Sequence, residues 1–260
     1  MTKTIAMMQP YWFPYLGYFQ LIAAADVFVL GDDLQYIKDG WINRNRILVA
    51  SEARMVSLPL KKAAHGLHID QRQIADEFAQ TNGKLLKTLA LNYSRAPHSD
   101  VILPLLERIM RYPERNLSRA LEYSIRELCA YLRIDTPILR ASELAIGAVE
   151  DKQDRVIKTM KKLGGERFLN PIGGLDLYED ERFKRNGIEL RFHRMSALSY
   201  PQFKGPFVAN LSIIDVLMFN PVDQVRQWLP LFTCELPHAA TVPAVSTPNA
   251  AQPTFMEMYS

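Results

Sequence analysis

The residues best suited to chemistry gather between Met8 and Ile47. Gln9, Asp32, Asp33, Gln35, Lys38, Asn43, Arg44 and Asn45 stand there among Tyr11, Trp12, Phe13, Tyr15, Tyr18, Tyr36 and Trp41. The adjacent carboxylates Asp32 and Asp33 are open to three uses. They can give hard oxygen ligands to a divalent cation, one of them can take a proton as a general base, or they can brace a turn. The side-chain amides of Gln9 and Asn43 can donate hydrogen bonds to a developing oxyanion. Asp32, Asp33 and Gln9 are therefore the candidate catalytic groups. Lys38, Arg44 and Arg46 make an anion-binding set, since a guanidinium matches the geometry of phosphate or carboxylate; the alternative is a solvated hairpin face. Aromatic rings at this density stack on a sugar or base, or else fill a core. The candidate substrate-binding residues are Tyr11, Tyr15, Gln35, Tyr36, Lys38, Trp41, Asn43, Arg44 and Asn45.

These residues need elements to position them. Thr4–Met8 reads as a buried strand, Tyr15–Ala25 as a helix with apolar residues at three- and four-residue spacings, and Val27–Leu30 as a second strand. A strand, a helix and a strand in so short a span make a βαβ unit, because parallel strands need a crossover. Gln9–Tyr15 and Gly31–Gln35 then follow two parallel strands and open on one sheet edge, where ligands of open α/β sheets lie. Trp41–Val49 and Arg54–Leu60 read as an antiparallel hairpin turning at Ala50–Ala53. On such a strand Asn43 and Asn45 face one way, Arg44 and Arg46 the other. Asp215 lies within the apolar run Ile213–Phe219 and needs a partner; Arg44 and Lys38 are the expected ones, which makes Asp215 a supporting residue.

Further along, Ile69–Ala79 and Lys84–Asn92 suit helices separated at Asn82-Gly83. His98–Met110, Leu117–Leu132 and Lys152–Leu163 are amphipathic helices, the last closed by Gly164-Gly165. Pro137–Leu139, Phe168–Asn170 and Ile188–His193 are strands, Ile213–Phe219 is a short buried helix, and Ser142 is placed to cap a helix. The expected fold is α/β: a mostly parallel sheet flanked by helices, with an inserted β-hairpin near residues 41–60. Residues 1–236 are expected to form one domain. Residues 237–260, rich in Ala, Pro, Thr and Ser, read as a mobile tail.

Composition bounds the function classes. Of 260 residues, 48% are hydrophobic and 23% charged, enough for a sizeable core. No apolar run approaches the roughly 20 residues of a membrane span, and the N-terminus lacks the apolar region of a signal peptide, so a cytoplasmic location is expected. The net charge of +3 is spread along the chain without a basic block, which gives nucleic-acid binding no support. Cys129 and Cys234 form neither a zinc nor a redox motif, and the five histidines show no ligand spacing. No metal is expected, and the sequence names no cofactor.

The run Gln9-Pro10-Tyr11-Trp12-Phe13-Pro14-Tyr15-Leu16-Gly17-Tyr18-Phe19, with Ala25–Val29, Asp32–Lys38 and Trp41–Ile47, resembles the WbqC-like protein family. Weaker matches follow at Thr136-Pro137, Ser142–Leu144, Gly173-Gly174, Leu177-Tyr178, Phe183, Gly187-Ile188 and Leu211–Leu217. The resemblance spans about residue 4 to about residue 220. It implies a role in O-antigen or other surface-polysaccharide biosynthesis, and a transferase, with glycine transfer to a sugar as the activity suggested for a member. The implied partners are a small-molecule or nucleotide-linked sugar and an acyl donor. The alternative is a sugar- or nucleotide-binding accessory protein without catalysis. The strand, Pro-x-x-Pro-Tyr-Leu-Gly-Tyr loop and helix are also loosely similar to the first loop of HIGH-type nucleotidyltransferases. Tyr15 and Tyr18 stand where those enzymes place histidines, which weakens an adenylating reading.

Overall fold

The structure is a computed structural model and describes residues 2–237. The tail read at 237–260 lies almost wholly outside the described residues. β1 (Thr4–Met8), α1 (Leu16–Ala23) and β2 (Val27–Leu30) form the expected βαβ unit, with β1 and β2 parallel and Met8 opposite Leu30. β5 (Ile138–Arg140), β6 (Arg167–Pro171), β7 (Glu189–Met195) and β8 (Phe232–Glu235) complete a sheet of order β5-β2-β1-β6-β7-β8, in which only the β7–β8 pairing is antiparallel. After β5 the chain returns across the sheet through α5 (Lys152–Leu163) to pair β6 with the far side of β1. The strand order therefore reverses between β1 and β6, the place where an open α/β sheet leaves a crevice beyond its carboxyl ends.

Alternation along β1 divides the packing. Ile5 and Met7 join Val156, Ile157 and Met160 of α5 and Phe183 of α6 (Asp180–Lys184). Ala6 and Met8 join a larger core with Phe19 and Ile22 of α1 and with α2 (Phe78–Asn92), α3 (Ser99–Met110), α4 (Leu117–Leu132), α7 (Ile213–Phe219) and α8 (Val222–Trp228). Helices thus cover both faces, as a buried parallel sheet requires.

The inserted hairpin is present but separate from this sheet: β3 (Arg44–Val49) pairs antiparallel with β4 (Glu52–Ser57). Its two-residue turn puts Ala50 and Ser51 at φ 52° and 65°, the left-handed pair that matches the twist of a tight hairpin. Leu48 and Ile47 are buried in the larger core.

Several expectations change. Of the helix expected at Ile69–Ala79, only Phe78 and Ala79 are α-helical, as the start of α2. A single 3-10 turn at Ile69–Gln71 gives way to extended backbone, in which Ile74 bridges Leu60 and Gln73 bridges Asn116. Those bridges take the groups a helix would have used. Conversely, α2 runs straight through Asn82-Gly83, because the buried Asn82 side chain donates to the Met110 carbonyl at 2.8 Å and ties α2 to the end of α3. Ser142 caps no α-helix and lies in a 3-10 turn, Ala141–Glu143. α6, α8 and β8 were not anticipated. Cys129 is buried and Cys234 exposed, both as free thiols.

Candidate functional site

Beyond the ends of β1 and β2 lies a cleft of about 990 Å³. Gln9 and the end of β1 form its sheet end, together with Lys152, Arg155 and Val156 of α5 and Tyr178 after β6. Leu34–Asp39, Asn43, Arg44 and the segment 57–66 after β4 form its outer walls, with Arg72 beside them. Its lining carries Lys38, Arg44, Lys61, Lys62, His65, Arg72, Lys152 and Arg155 against one acid, Asp39. So lopsided a charge balance within low-dielectric walls concentrates anions.

Of the residues singled out by sequence, Gln9, Gln35, Tyr36, Lys38, Asn43 and Arg44 meet in this cleft. Gln9 is 2% exposed; its carbonyl accepts from the Tyr18 hydroxyl at 3.0 Å, while its side-chain amide has no hydrogen-bond partner among the described residues. Tyr36 donates to Asn43 Oδ1 at 2.8 Å, and Asn43 Nδ2 donates to the Leu58 carbonyl at 2.8 Å, so the two walls are pinned together. The Arg72 guanidinium lies 4.4 Å from the Tyr36 ring centre, a cation–π contact. Burial raises the Tyr36 pKa above the ordinary phenol value, with Asp39 adding to the rise and Arg72 and Arg44 opposing it. It stays a neutral donor. Tyr178 is held likewise, its pKa pushed up to about 12 by burial.

Other candidates stand elsewhere. Asp32 is fully buried: Oδ1 accepts from the Ser142 amide at 2.9 Å, and Oδ2 from the Ser118 hydroxyl at 2.7 Å and the Ser142 hydroxyl at 2.8 Å. It ties the loop after β2 to α4 and to the turn after β5, and it does not line the cleft. Asp33 pairs with Arg155. Asn45 is turned inward, its amide donating to the carbonyls of Trp12 and Phe13 at 3.2 and 2.8 Å. It holds the loop after β1 where Phe13 takes φ 45°. On β3 the buried Asn45 stands between half-buried Arg44 and Arg46, but Asn43 precedes the strand and lines the cleft beside Arg44, so the expected division of the Asn pair from the Arg pair does not hold at Asn43. Tyr11 packs on Tyr18 with ring centres 5.6 Å apart. Burial, with the neighbouring Tyr15, drives its pKa far upward. Tyr15, pushed up to about 12 by burial, lines a separate hollow of about 300 Å³. Trp41 carries the Arg46 guanidinium at 5.4 Å and is no part of the cleft lining.

The expected pairing of Asp215 with Arg44 or Lys38 does not form. Arg44 donates to Asp39 at 3.2 Å and to the Gly40 carbonyl at 2.8 Å. Asp215 instead accepts from Tyr93, Tyr200 and Gln202. The reason is reach: β3 directs Arg44 toward the cleft, while Asp215 lies sealed in the core. Because Asp39 is 73% exposed, the ion pair contributes little. Arg44→Ala is expected to cost about 1 kcal/mol or less in urea unfolding, while weakening the binding of anionic ligands. A loss of several kcal/mol would show a structural role instead.

Arg155, Lys152, Arg72, Lys61, Lys62 and His65 escaped the sequence reading. One signal was available for α5. Its first turn carries Lys152 as well as the expected acid Asp154, and Arg155 follows. Among the described residues no three His, Cys, Asp or Glu come together as a metal-binding group, and no helix is long and apolar enough to cross a membrane.

Comparison with known proteins agrees with the resemblance of the N-terminal run. An uncharacterized protein of Mycobacterium tuberculosis, Rv1507c, is 26% identical over 220 residues, covering 84% of this chain and 94% of that protein. No solved structure matches. The sequence profile of the WbqC-like protein family matches residues 9–227. The chain belongs to the WbqC-like protein family.

Proposed function

We propose that this protein binds a nucleotide-linked sugar in the cleft and transfers an acyl group, glycine being the first candidate, to an amino or hydroxyl group of that sugar during surface-polysaccharide (O-antigen) biosynthesis. A cytoplasmic location goes with that substrate. The observation that carries the ligand class is the excess of basic residues around a crevice at the sheet's switch point. Phosphates are the natural counter-ions of such a lining. Lys38 and Arg44 attract and orient the nucleotide, and Tyr36 presents its ring and hydroxyl from the same wall.

The transfer step leans on the family resemblance. In it a bond forms between the acceptor nitrogen or oxygen and the acyl carbon, the bond from that carbon to the donor's leaving group breaks, and the acceptor gives up a proton. Asp33 is the candidate to take that proton, since Asp32 would first have to break three hydrogen bonds. The Gln9 amide is free to donate to the oxyanion.

One observation favours a binding protein without catalysis: Asp33 is held by Arg155, and Asp39, the only acid lining the cleft among the described residues, is held by Arg44. The discriminating experiment incubates the protein with uridine-diphosphate-linked amino sugars and with glycyl thioester or glycyl-tRNA, and reads products by mass spectrometry and binding by calorimetry. A sugar heavier by one glycyl residue establishes transfer. Binding without product supports the accessory role, and no binding of any nucleotide-linked sugar removes both readings.

A further inference from the structure

We infer that the hollow beside Tyr15 is a second ligand site, shaped for one neutral sugar ring. Such a site needs no transfer step and is independent of the nucleotide-linked reading above. Tyr15 closes the loop after β1, and Met195 and Ser196 stand at the end of β7, so the hollow lies at the carboxyl ends of the strands, as the cleft does. The two share no lining residue among those described. Their chemistry differs as well. Arg194 is the one charged residue lining the hollow among the described residues, and Glu235 holds it in an ion pair.

The polar groups left to a ligand are uncharged. The Tyr15 hydroxyl, the Ser196 hydroxyl and the Asn210 carboxamide have no hydrogen-bond partner among the described residues. Burial pushes the Tyr15 pKa up to about 12, so its oxygen keeps its proton. Burying a phenol without a partner is costly, and a ligand hydroxyl removes that cost. Asn210 stands in the left-handed region at φ 56°, and Arg46 Nη2 donates to its carbonyl at 3.0 Å. That bond fixes the turn carrying the carboxamide to β3. Phe207, 36% exposed, packs edge-on to Tyr200 with ring centres 5.1 Å apart. The Tyr200 hydroxyl is engaged by Asp215, so this pair offers ring surface. A pyranose has the complementary form: a face of C–H bonds to lie on an aromatic ring, and a rim of hydroxyls that donate and accept. A phosphate lacks the face and meets no unpaired cation among the lining residues described. The volume of about 300 Å³ is at the small end of ligand pockets.

The probes are the methyl glycosides of glucose, galactose and N-acetylglucosamine, with glycerol and a uridine-diphosphate sugar beside them, read by saturation-transfer NMR and calorimetry. The variants are Tyr15→Phe, Phe207→Ala and Asn210→Gly, the last of which accepts the same φ. Thermal melting of each checks the fold. At least one neutral glycoside is expected to bind with a Kd of about 1 mM, more tightly than glycerol. Tyr15→Phe and Asn210→Gly should each weaken it about fivefold, one hydrogen bond's worth, and Phe207→Ala about tenfold. Tyr15→Phe keeps the ring, so weaker binding at an unchanged melting temperature reports the hydroxyl alone. Wild-type affinity in the folded variants overturns the site, as does glycerol binding as tightly as every glycoside. If the nucleotide sugar binds and no neutral glycoside does, the hollow falls while the proposed function stands. If a glycoside binds with the expected losses in the variants and no nucleotide sugar does, the site stands and the proposed function falls. If neither binds, both fall.

Discussion

Asp215→Ala is expected to destabilise the protein by about 3–5 kcal/mol in urea unfolding, because it strips the acceptor from three buried donors at once. Asp215 is fully buried. Tyr93 donates to Oδ1 at 2.9 Å, while Tyr200 and Gln202 each donate to Oδ2 at 2.7 Å. The Tyr93 oxygen in turn accepts from the Leu48 amide at 2.9 Å. One carboxyl group therefore joins α7, the end of α2, the loop at 200–202 and the hairpin that walls the cleft. A loss below about 1 kcal/mol would mean that the network contributes nothing net.

The same group gives a pH dependence. Burial raises the Asp215 pKa above 3.8, and this outweighs the three hydrogen bonds, which lower it. The folded state thus holds the proton more tightly than the unfolded state. The stabilisation is fully present below the unfolded value and is lost as pH rises through the folded one. Asp215→Asn does not titrate, so the wild type should lose stability relative to this variant as pH climbs above 3.8. Parallel stability curves for the two proteins would contradict the raised pKa. Tyr93 and Tyr200, their own pKa values driven upward chiefly by burial, remain phenol donors throughout.

How far the sequence could be read depended on the range of the interactions. α4 and α5 have the bounds expected of them, since Asn116 caps the one and Asp151 the other, with Gly164 at φ 64° closing α5. α7 follows from its apolar run and Ser212 cap. The hairpin was legible from alternation, and the βαβ unit from its spacing. Ile69–Ala79 misled because its apolar spacing is helical, while bridges to Gln35, Leu60 and Asn116 claim its neighbourhood. Those contacts are made with distant segments and leave no local trace. The site divides in the same way. Gln9, Tyr36, Lys38, Asn43 and Arg44 lie in one stretch and were visible together. Arg155 and Lys152 reach the cleft only because α5 returns the chain to β1's other side. Of the two uses open to the aromatic run, Tyr11 and Trp12 take the core, and Asn45 serves that core by holding the backbone between them and Pro14.

Asp32→Asn should prove a stability mutation, with a loss of about 2–4 kcal/mol. The paired acids read from sequence as one site have separate surroundings. Asp32 accepts the Ser142 amide on one oxygen and two serine hydroxyls on the other, with no exposure. An asparagine can keep one oxygen toward the hydroxyls, but its amide then faces the Ser142 N–H, donor against donor. The alternative flip sets the amide against two hydroxyls, which can turn, and leaves the oxygen for Ser142. Either arrangement gives up charge-assisted hydrogen bonds in a dry site. Asp33→Asn should differ: Asp33 is 20% exposed and faces Arg155 at 18%, so it should cost about 1–2 kcal/mol while loosening the Arg155 guanidinium that points to the cleft. Unfolding of both variants, with calorimetric titration by a uridine-diphosphate-linked sugar, separates the cases. Asp32→Asn should unfold at lower urea and, where folded, bind as the wild type does; Asp33→Asn should stay folded and bind less. An Asp32→Asn protein with wild-type stability and lost binding would return Asp32 to the site and break the division between a structural and a ligand-facing carboxylate.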